Sequence, residues 1–378
     1  MHSIIIVSHK FLTQPDDDLV SFLNKNRYRN VLHVRHSFSD APDRCSYYSW
    51  YKEGKLYREE RTGDYKKCIE PLIYIKELLF TFKWIYRENI KWDYYIGMDG
   101  LCVFFGNFLR FLRKIDKTIY WAIDFVPENR FDGKFKNKVY NWINTQGYKR
   151  SDEMWDLSPR MIEAREKFLN IKKTDYKLHK IVPYGVWLDR IKKYSYKECE
   201  KNTLVFMGHL LEKQGVQLVI EAIPEIIKKF PDFRFKIIGG GSYKSTLVKL
   251  SDSLRVSQYC DFKGKIDNIE LLENEIAKSC VAIAPYIKKL DTWTYYADPG
   301  KVKTYLACGV PVLLTDIPWN AKEIEDNQCG KIITENKDNL INTIAEFMNS
   351  TYNQKYRTNA TKYSQKFNYI NIFNSITL

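Results

Sequence analysis

The run Asp298-Pro299-Gly300-Lys301-Val302-Lys303-Thr304 joins the marks of a helix start to a cation. Asp298 suits an N-cap, whose side chain accepts an orphan amide, and Pro299 suits the first helical position, where no N–H is needed. Gly300 leaves the first turn uncovered by a side chain, so the amides there are approachable. The positive end of the helix dipole and the Lys301 ammonium would both draw an anion to that turn. Such residue types at such spacing suit a grip on a diphosphate without a glycine-rich loop. An ordinary capped helix accounts for Asp298 and Pro299 equally well, but gives Lys301 beside an open turn no role. Gly309-Val310-Pro311 then turns the chain into an apolar strand.

Other groups able to do chemistry follow apolar runs. Asp124 ends Tyr120-Trp121-Ala122-Ile123, and Asp99 follows Tyr94-Tyr95-Ile96. A carboxylate so placed can orient or deprotonate a hydroxyl; Asp124 can equally cap a helix or pair with Arg130. His9 and Lys10 follow the first apolar run, in reach of a phosphate or substrate, or simply in a loop. Asp16-Asp17-Asp18 offers oxygens to a metal, but it follows Pro15 and opens a helix, where the dipole accounts for acidic residues. No His/Cys cluster has zinc spacing, and Gly239-Gly240-Gly241 lacks the spacing of a dinucleotide fingerprint. No metal or other cofactor is therefore expected. Cys45, Cys68, Cys102, Cys199, Cys260, Cys280, Cys308 and Cys329 are scattered without CxxC spacing, as reduced, packed thiols of a cytosolic protein would be.

These groups need a scaffold, and the chain alternates strand and helix signals. In the first half strands are expected at 4–8, 31–34, 94–96 and 118–123, with helices near 19–23, 68–87, 101–113 and 136–146, and an edge strand near 181–185. The second half restarts the rhythm: strands at 203–207, 233–238, 261–263, 281–284 and 311–314, and helices at 216–230, 245–254, 270–278 and 302–307. Alternation of this kind implies parallel sheets covered on both faces. A break near Trp187–Lys201 makes two Rossmann-like domains, in keeping with 378 residues. Ligands of such sheets bind beyond the carboxyl ends of the strands. That is where Asp99, Asp124, His9 and the segment after Met207 fall.

The formal charge of +14 favours anionic partners. The excess gathers between Leu101 and Arg150, where 10 basic residues meet 4 acidic ones, interleaved with aromatics as in Phe108-Leu109-Arg110-Phe111-Leu112-Arg113-Lys114. Such a stretch suits an anionic membrane surface or a solvated helix face. Nucleic acid is not an expected partner, since no recognisable module accompanies the charge. The first apolar run is too short for a signal peptide, and no apolar stretch reaches the length of a membrane span. A cytoplasmic protein is expected, with the inner face of the membrane as its candidate surface.

Six pieces of the second half resemble, in order and spacing, the large retaining GT-B glycosyltransferase family that includes bacterial phosphatidylinositol mannosyltransferases. They are Val182-Pro183-Tyr184-Gly185-Val186, Gly208-His209-Leu210-Leu211-Glu212-Lys213-Gln214-Gly215-Val216, Ile237-Ile238-Gly239-Gly240-Gly241, Phe262-Lys263-Gly264-Lys265-Ile266, Ala284-Pro285-Tyr286 and Tyr305-Leu306-Ala307-Cys308-Gly309-Val310-Pro311-Val312. The first 180 residues share only the strand-helix rhythm. The resemblance implies an α/β GT-B fold of two facing Rossmann-like domains with a cleft between them. Residues 1–186 would form the acceptor-side domain, joined by a C-terminal helix at 353–378, and 187–352 the nucleotide-sugar domain.

By the same resemblance Gly208, His209, Lys213, Gly240, Lys265, Asp298, Gly300, Lys301, Val302 and Thr304 bind the donor, a UDP- or GDP-sugar. Asp124 and Asp99 are the catalytic candidates, with His9 and Lys10 on the acceptor-side loop. The chain departs from the family at three places: His209 stands where an arginine is usual, and Tyr296 and Thr304 stand at two spaced glutamates. His209 lacks the guanidinium fork, and Thr304 can accept from one ribose hydroxyl where a carboxylate takes two. The expected activity is transfer of a sugar, with retention, to a lipid-linked or polysaccharide acceptor in cell-surface glycan biosynthesis. The alternatives are a non-catalytic partner subunit of the same fold and a sugar-nucleotide epimerase.

Overall fold

The computed structural model describes residues 2–10, 14–37, 44–64, 68–126, 129–290, 293–376 and 378. The chain divides into two compact units, Met1–Pro183 with Phe373–Leu378, and Tyr184–Ile372.

The first unit runs through β1 (Ser3–Lys10), α1 (Asp16–Lys25), β2 (Asn30–Ser37), β3 (Ser46–Lys52), β4 (Lys55–Arg61), α2 (Glu70–Arg87), β5 (Trp92–Gly97), α3 (Gly100–Phe111), β6 (Ile115–Ala122), α4 (Lys134–Arg150), β7 (Glu153–Asp156), α5 (Arg160–Leu169) and β8 (His179–Ile181). Its sheet has the order β4-β3-β2-β1-β5-β6-β7-β8. Pairing is parallel from β2 to β8 and antiparallel at β3 and β4. Ile4, Ile5, Ile6 and Val7 of β1 are all buried, as a central parallel strand covered on both faces requires. With β2 on one side of β1 and β5 on the other, the order reverses there, and the carboxyl ends of β1 and β5 form a topological switch point. The hairpin of β3 and β4 was not among the expected elements. Its turn places Glu53 and Gly54 at φ 48° and 81°, the primed geometry of two-residue hairpins. A Cβ on Gly54 would lie 2.2 Å from Asn24 O, so glycine is required.

The second unit contains β9 (Glu200–Met207), α6 (Val216–Lys229), β10 (Arg234–Ile238), α7 (Lys244–Ser253), β11 (Cys260–Gly264), α8 (Ile269–Ala277), β12 (Ser279–Ala284), α9 (Gly300–Ala307), β13 (Val312–Leu314), α10 (Ala321–Asp326), β14 (Gly330–Ile332), α11 (Lys337–Met348) and α12 (Ser350–Tyr363); α13 (Tyr369–Ser375) closes the chain's helices. The sheet order is β11-β10-β9-β12-β13-β14, parallel throughout. Alternate residues of β9 feed two apolar layers. Leu204 and Phe206 pack with Val219, Ile220 and Ile223 of α6, and Val205 packs with Tyr305 and Leu306 of α9. Each such fully buried side chain contributes about 1.5–3 kcal/mol. Here too the order reverses at the central strand, between β9 and β12.

The segment 353–378 does not return as one helix to the first unit; only Phe373–Leu378 groups there. The reason lies in α12. Asn353 Nδ2 donates to Cys280 O at 3.0 Å and Phe347 O at 2.8 Å. Arg357 donates to the carbonyls of Tyr194, Ser279 and Ala277 at 3.0, 2.9 and 2.9 Å. Both residues are buried and hold the helix to the second unit. Among the described residues no helix is long and apolar enough to cross a membrane.

Candidate functional site

The second unit gathers its candidate groups at its own switch point. Gly208 follows β9 with φ 146°, and a Cβ there would meet Lys301 Nζ at 2.7 Å. Gly239, after β10, has φ 138° and a Cβ would sit 1.9 Å from Gly208 O, so the two loops touch backbone to backbone. Lys301, on the first turn of α9, donates to Gln214 Oε1 at 2.5 Å. Its ammonium lies 4.4 Å from the Phe206 ring centroid and 5.1 Å from that of Tyr286, both faces attractive to a cation. A Cβ on Gly300 would meet nothing within 4 Å, which leaves the turn open on that side. Gly208, Gly300 and Lys301 thus converge where amides and a cation can take an anion.

The other expected donor residues fall less evenly. Val302 is buried, and its N–H turns back to Pro299 O at 3.2 Å. The Thr304 hydroxyl donates to Gly300 O at 3.3 Å. His209 is exposed on the turn after β9. Lys213 is half-buried, with its ammonium 5.6 Å from the Trp293 ring centroid. Gly240 has open space around it. Lys265 is exposed and pairs with Asp267 at 2.5 Å.

Asp298 is not the N-cap of α9. Pro299 holds that position and no side chain caps the helix. Asp298 is instead buried, with Oδ2 accepting from Tyr184 N at 2.8 Å and from the Lys303 ammonium, and Oδ1 accepting from Trp319 Nε1 at 2.8 Å. Burial pulls the Lys303 pKa down, and the charge of Asp298 opposes that pull. Lys303 and Trp319 were not singled out in the sequence. A lysine four residues past a proline looks like one more helix-surface cation until its burial is known.

In the first unit, His9 lies next to the end of β1 and Asp99 follows β5. His9 Nδ1 lies 2.7 Å from Asp99 Oδ2, and Nε2 lies 3.1 Å from Glu77 Oε2. Asp99 also caps α3, its Oδ1 accepting from Cys102 N at 2.9 Å. Burial alone would lower the His9 pKa, but the charge of Asp99 and the hydrogen bonds to Asp99 and Cys102 together outweigh it, and the imidazole is held well above 6.5. Asp99 falls well below the usual carboxylate range: burial opposes this, and the His9 charge together with hydrogen bonds from His9 and Cys102 prevails. Burial raises Glu77 above its ordinary value, with His9 opposing. Both His9 nitrogens are engaged by carboxylates. The side chain of Lys10 lies outside the described residues. Glu77, on α2, went unnoticed in the sequence because nothing local links it to His9.

Asp124 and Asp99 line one cavity of ≈340 Å³ together with His9. Asp124 Oδ2 accepts from Arg130 Nη1 at 2.8 Å, and the same nitrogen donates to Tyr140 OH at 3.1 Å. The Asp16 carboxylate does more than open α1. It is buried and accepts from Ser8 Oγ at 2.7 Å and pairs with His33 Nε2 at 3.0 Å. Two groups of metal-ligating types occur among the described residues, His9-Asp99-Cys102 and Asp16-Asp17-His33. In each, a histidine nitrogen and a carboxylate oxygen close directly on one another.

Residues 189–367 match the family model of the glycosyl transferases group 1. The chain is similar to the GDP-mannose-dependent alpha-(1-6)-phosphatidylinositol monomannoside mannosyltransferase of Mycolicibacterium smegmatis, 24% identical over 139 residues, 35% of this chain and 35% of that protein. The chain thus spans only about a third of that relative's length. Among solved structures, sucrose-phosphate synthase from Thermosynechococcus elongatus superposes with a TM-score of 0.71 at 14% identity, covering 99% of this chain and 97% of that one. Anabaena HepE in complex with UDP gives a TM-score of 0.69 at 12% identity, covering 99% and 98%. The chain therefore has the GT-B fold, and its match to the glycosyl transferases of group 1 lies within the second unit.

Proposed function

We propose that this chain is a glycosyltransferase that takes a sugar from a UDP- or GDP-sugar and passes it, with retention, to a lipid-linked or polysaccharide acceptor in cell-surface glycan biosynthesis. The observation that carries this reading is the placing of Lys301 against Gly208 at the carboxyl end of β9, beside the open turn at Gly300. A nucleoside diphosphate in that corner displaces Gln214 from the ammonium and gains the helix amides. Lys301, with Lys213, then stabilises the charge that develops on the leaving diphosphate, and no metal is assigned to the reaction. Support for the ligand class comes from the relative named for GDP-mannose and from the neighbour solved with UDP.

The acceptor side is assigned to the first unit, with Asp124 as the group that orients or deprotonates the acceptor hydroxyl. The exposed Phe108, Phe111, Phe135 and Trp142, among the basic residues of 101–150, support a peripheral seat on the anionic inner face of a membrane.

The test is a thermal-shift screen with nucleoside diphosphates and their sugars, since a ligand of the folded state raises apparent stability. Stabilisation by one nucleotide family, followed by sugar transfer to an acceptor fraction, is the expected result. A second reading, a non-catalytic partner subunit, draws on Thr304, whose hydroxyl is committed to Gly300 O. No response to any nucleotide would favour it, and interconversion of the free nucleotide sugar without acceptor would mark an epimerase.

A further inference from the structure

The ≈340 Å³ cavity of the first unit is walled largely by carbon, with Ile73, Leu101, Ile123, Phe135, Val139 and Ile143 among its lining residues. That is the size and character of a small-molecule pocket. Its wall carboxylates are engaged: Asp99 by His9 and Cys102, Asp124 by Arg130. Arg130 uses a single nitrogen, Nη1, toward Asp124 and Tyr140. Its Nε and Nη2 have no hydrogen-bond partner among the described residues. Lys136 also lines the cavity. A guanidinium anchored on one nitrogen, with donors remaining, is set to take an oxyanion by more than one hydrogen bond.

We propose that this cavity binds an amphiphile with a phosphate head and an acyl or isoprenoid chain. The chain lies among Leu101, Ile123, Val139 and Ile143, and the phosphate meets Arg130, which Asp124 and Tyr140 hold in place. A bare phosphate would leave the apolar walls in water, and an uncharged alcohol would leave the Arg130 donors unmet. Each carries only half of the recognition the cavity offers. Naming this amphiphile as the acceptor rests on the transferase reading above; the binding itself does not.

The test uses the full chain with three probes below their self-association concentrations: dioctanoyl phosphatidate, dioctanoylglycerol and glycerol 3-phosphate, read by calorimetry. Phosphatidate should bind more tightly than either of the others. Arg130→Gln should weaken phosphatidate by roughly tenfold or more, the scale of a lost charged hydrogen bond, and leave dioctanoylglycerol unchanged. Val139→Trp, at a partly exposed position on α4, should fill the cavity without unfolding the chain and weaken both lipids. The proposal is overturned if glycerol 3-phosphate matches phosphatidate, if Arg130→Gln leaves phosphatidate binding intact, or if neither lipid binds. Nucleoside diphosphate binding on the same samples keeps the two readings apart. Lipid binding without nucleotide binding sinks the transferase reading alone, and nucleotide binding without lipid binding sinks this one alone.

Discussion

The ammonium of Lys301 donates to Gln214 Oε1 at 2.5 Å while lying over the rings of Phe206 and Tyr286. An ammonium placed against an amide oxygen and two ring faces, beside the open turn at Gly300, suits a site for an incoming anion. Lys301→Ala should therefore weaken nucleoside diphosphate binding by about 1.5–3 kcal/mol, the scale of a charged hydrogen bond. Circular dichroism should show the fold intact. Unchanged nucleotide affinity in this variant would remove the corner from consideration.

Asp298 should behave differently, because its carboxylate is enclosed by Tyr184 N, Trp319 Nε1 and the Lys303 ammonium. Breaking one side of a buried pair costs about 3–5 kcal/mol, since the partner is left charged and dry. Asp298→Asn should lower the denaturant midpoint of the second unit, while the protein that remains folded keeps near-wild-type nucleotide affinity. A variant of normal stability that has lost nucleotide binding would instead place Asp298 against the ligand.

The contrast between these two residues shows how far the sequence is legible. Strand-helix alternation and the turn at Gly300 are local, so the parallel sheets and the position of Lys301 could be read directly. The burial of Asp298 is not local. Its partners Tyr184 and Trp319 lie far away in the chain, and an Asp-Pro pair at a helix start fits a cap as well as an ion pair. His9 is similar: its place after the first strand is legible, but its carboxylates arrive from α2 and from the end of β5. The hairpin at Glu53-Gly54 carried a turn signal, masked by charged residues along β4 that conceal a strand exposed at the sheet edge.

The His9–Asp99 pair sets a pH dependence. A histidine raised above 6.5 contributes stability that is full below that value and fades as pH climbs through the native one. An aspartate lowered below 3.8 contributes stability that is full above that value and fades as pH falls. The pair is therefore worth most from weakly acid to neutral pH. Asp99→Asn keeps the cap on α3 but removes the charge. It should destabilise by about 1–3 kcal/mol near pH 6, the scale of a lost charged hydrogen bond at a partly exposed site. The deficit should shrink toward alkaline pH. Melting curves giving the same deficit at both ends would contradict the pairing.

Phe111 and Phe135 are 81% and 79% exposed, on helices that carry Arg110, Lys134, Lys136 and Lys138. If this face rests on lipid, binding to vesicles should rise with anionic lipid content and fall with salt. Phe111→Ser with Phe135→Ser should weaken it without changing nucleotide affinity. Equal binding to neutral vesicles, or none to either kind, would leave the basic stretch a solvated helix face.

Asp124 divides its carboxylate. Oδ2 is taken by Arg130 Nη1, and Oδ1 has no hydrogen-bond partner among the described residues, on a side chain that is half exposed at the cavity wall. One oxygen can fix Arg130 while the other accepts from a substrate hydroxyl, so removing the charge should touch both tasks. Asp124→Asn is expected to lower turnover on the order of 10² or more, the usual scale for a positioned acid-base group. Nucleotide affinity should stay near wild type, because the groups assigned to it belong to the other unit. Arg130→Gln provides the control: it should raise the acceptor KM and leave kcat largely in place. If Asp124→Asn merely copies that pattern, its carboxylate serves only to hold Arg130. A fall in kcat confined to Asp124→Asn assigns it to the acceptor hydroxyl, and wild-type turnover in both variants removes this wall of the cavity from the chemistry.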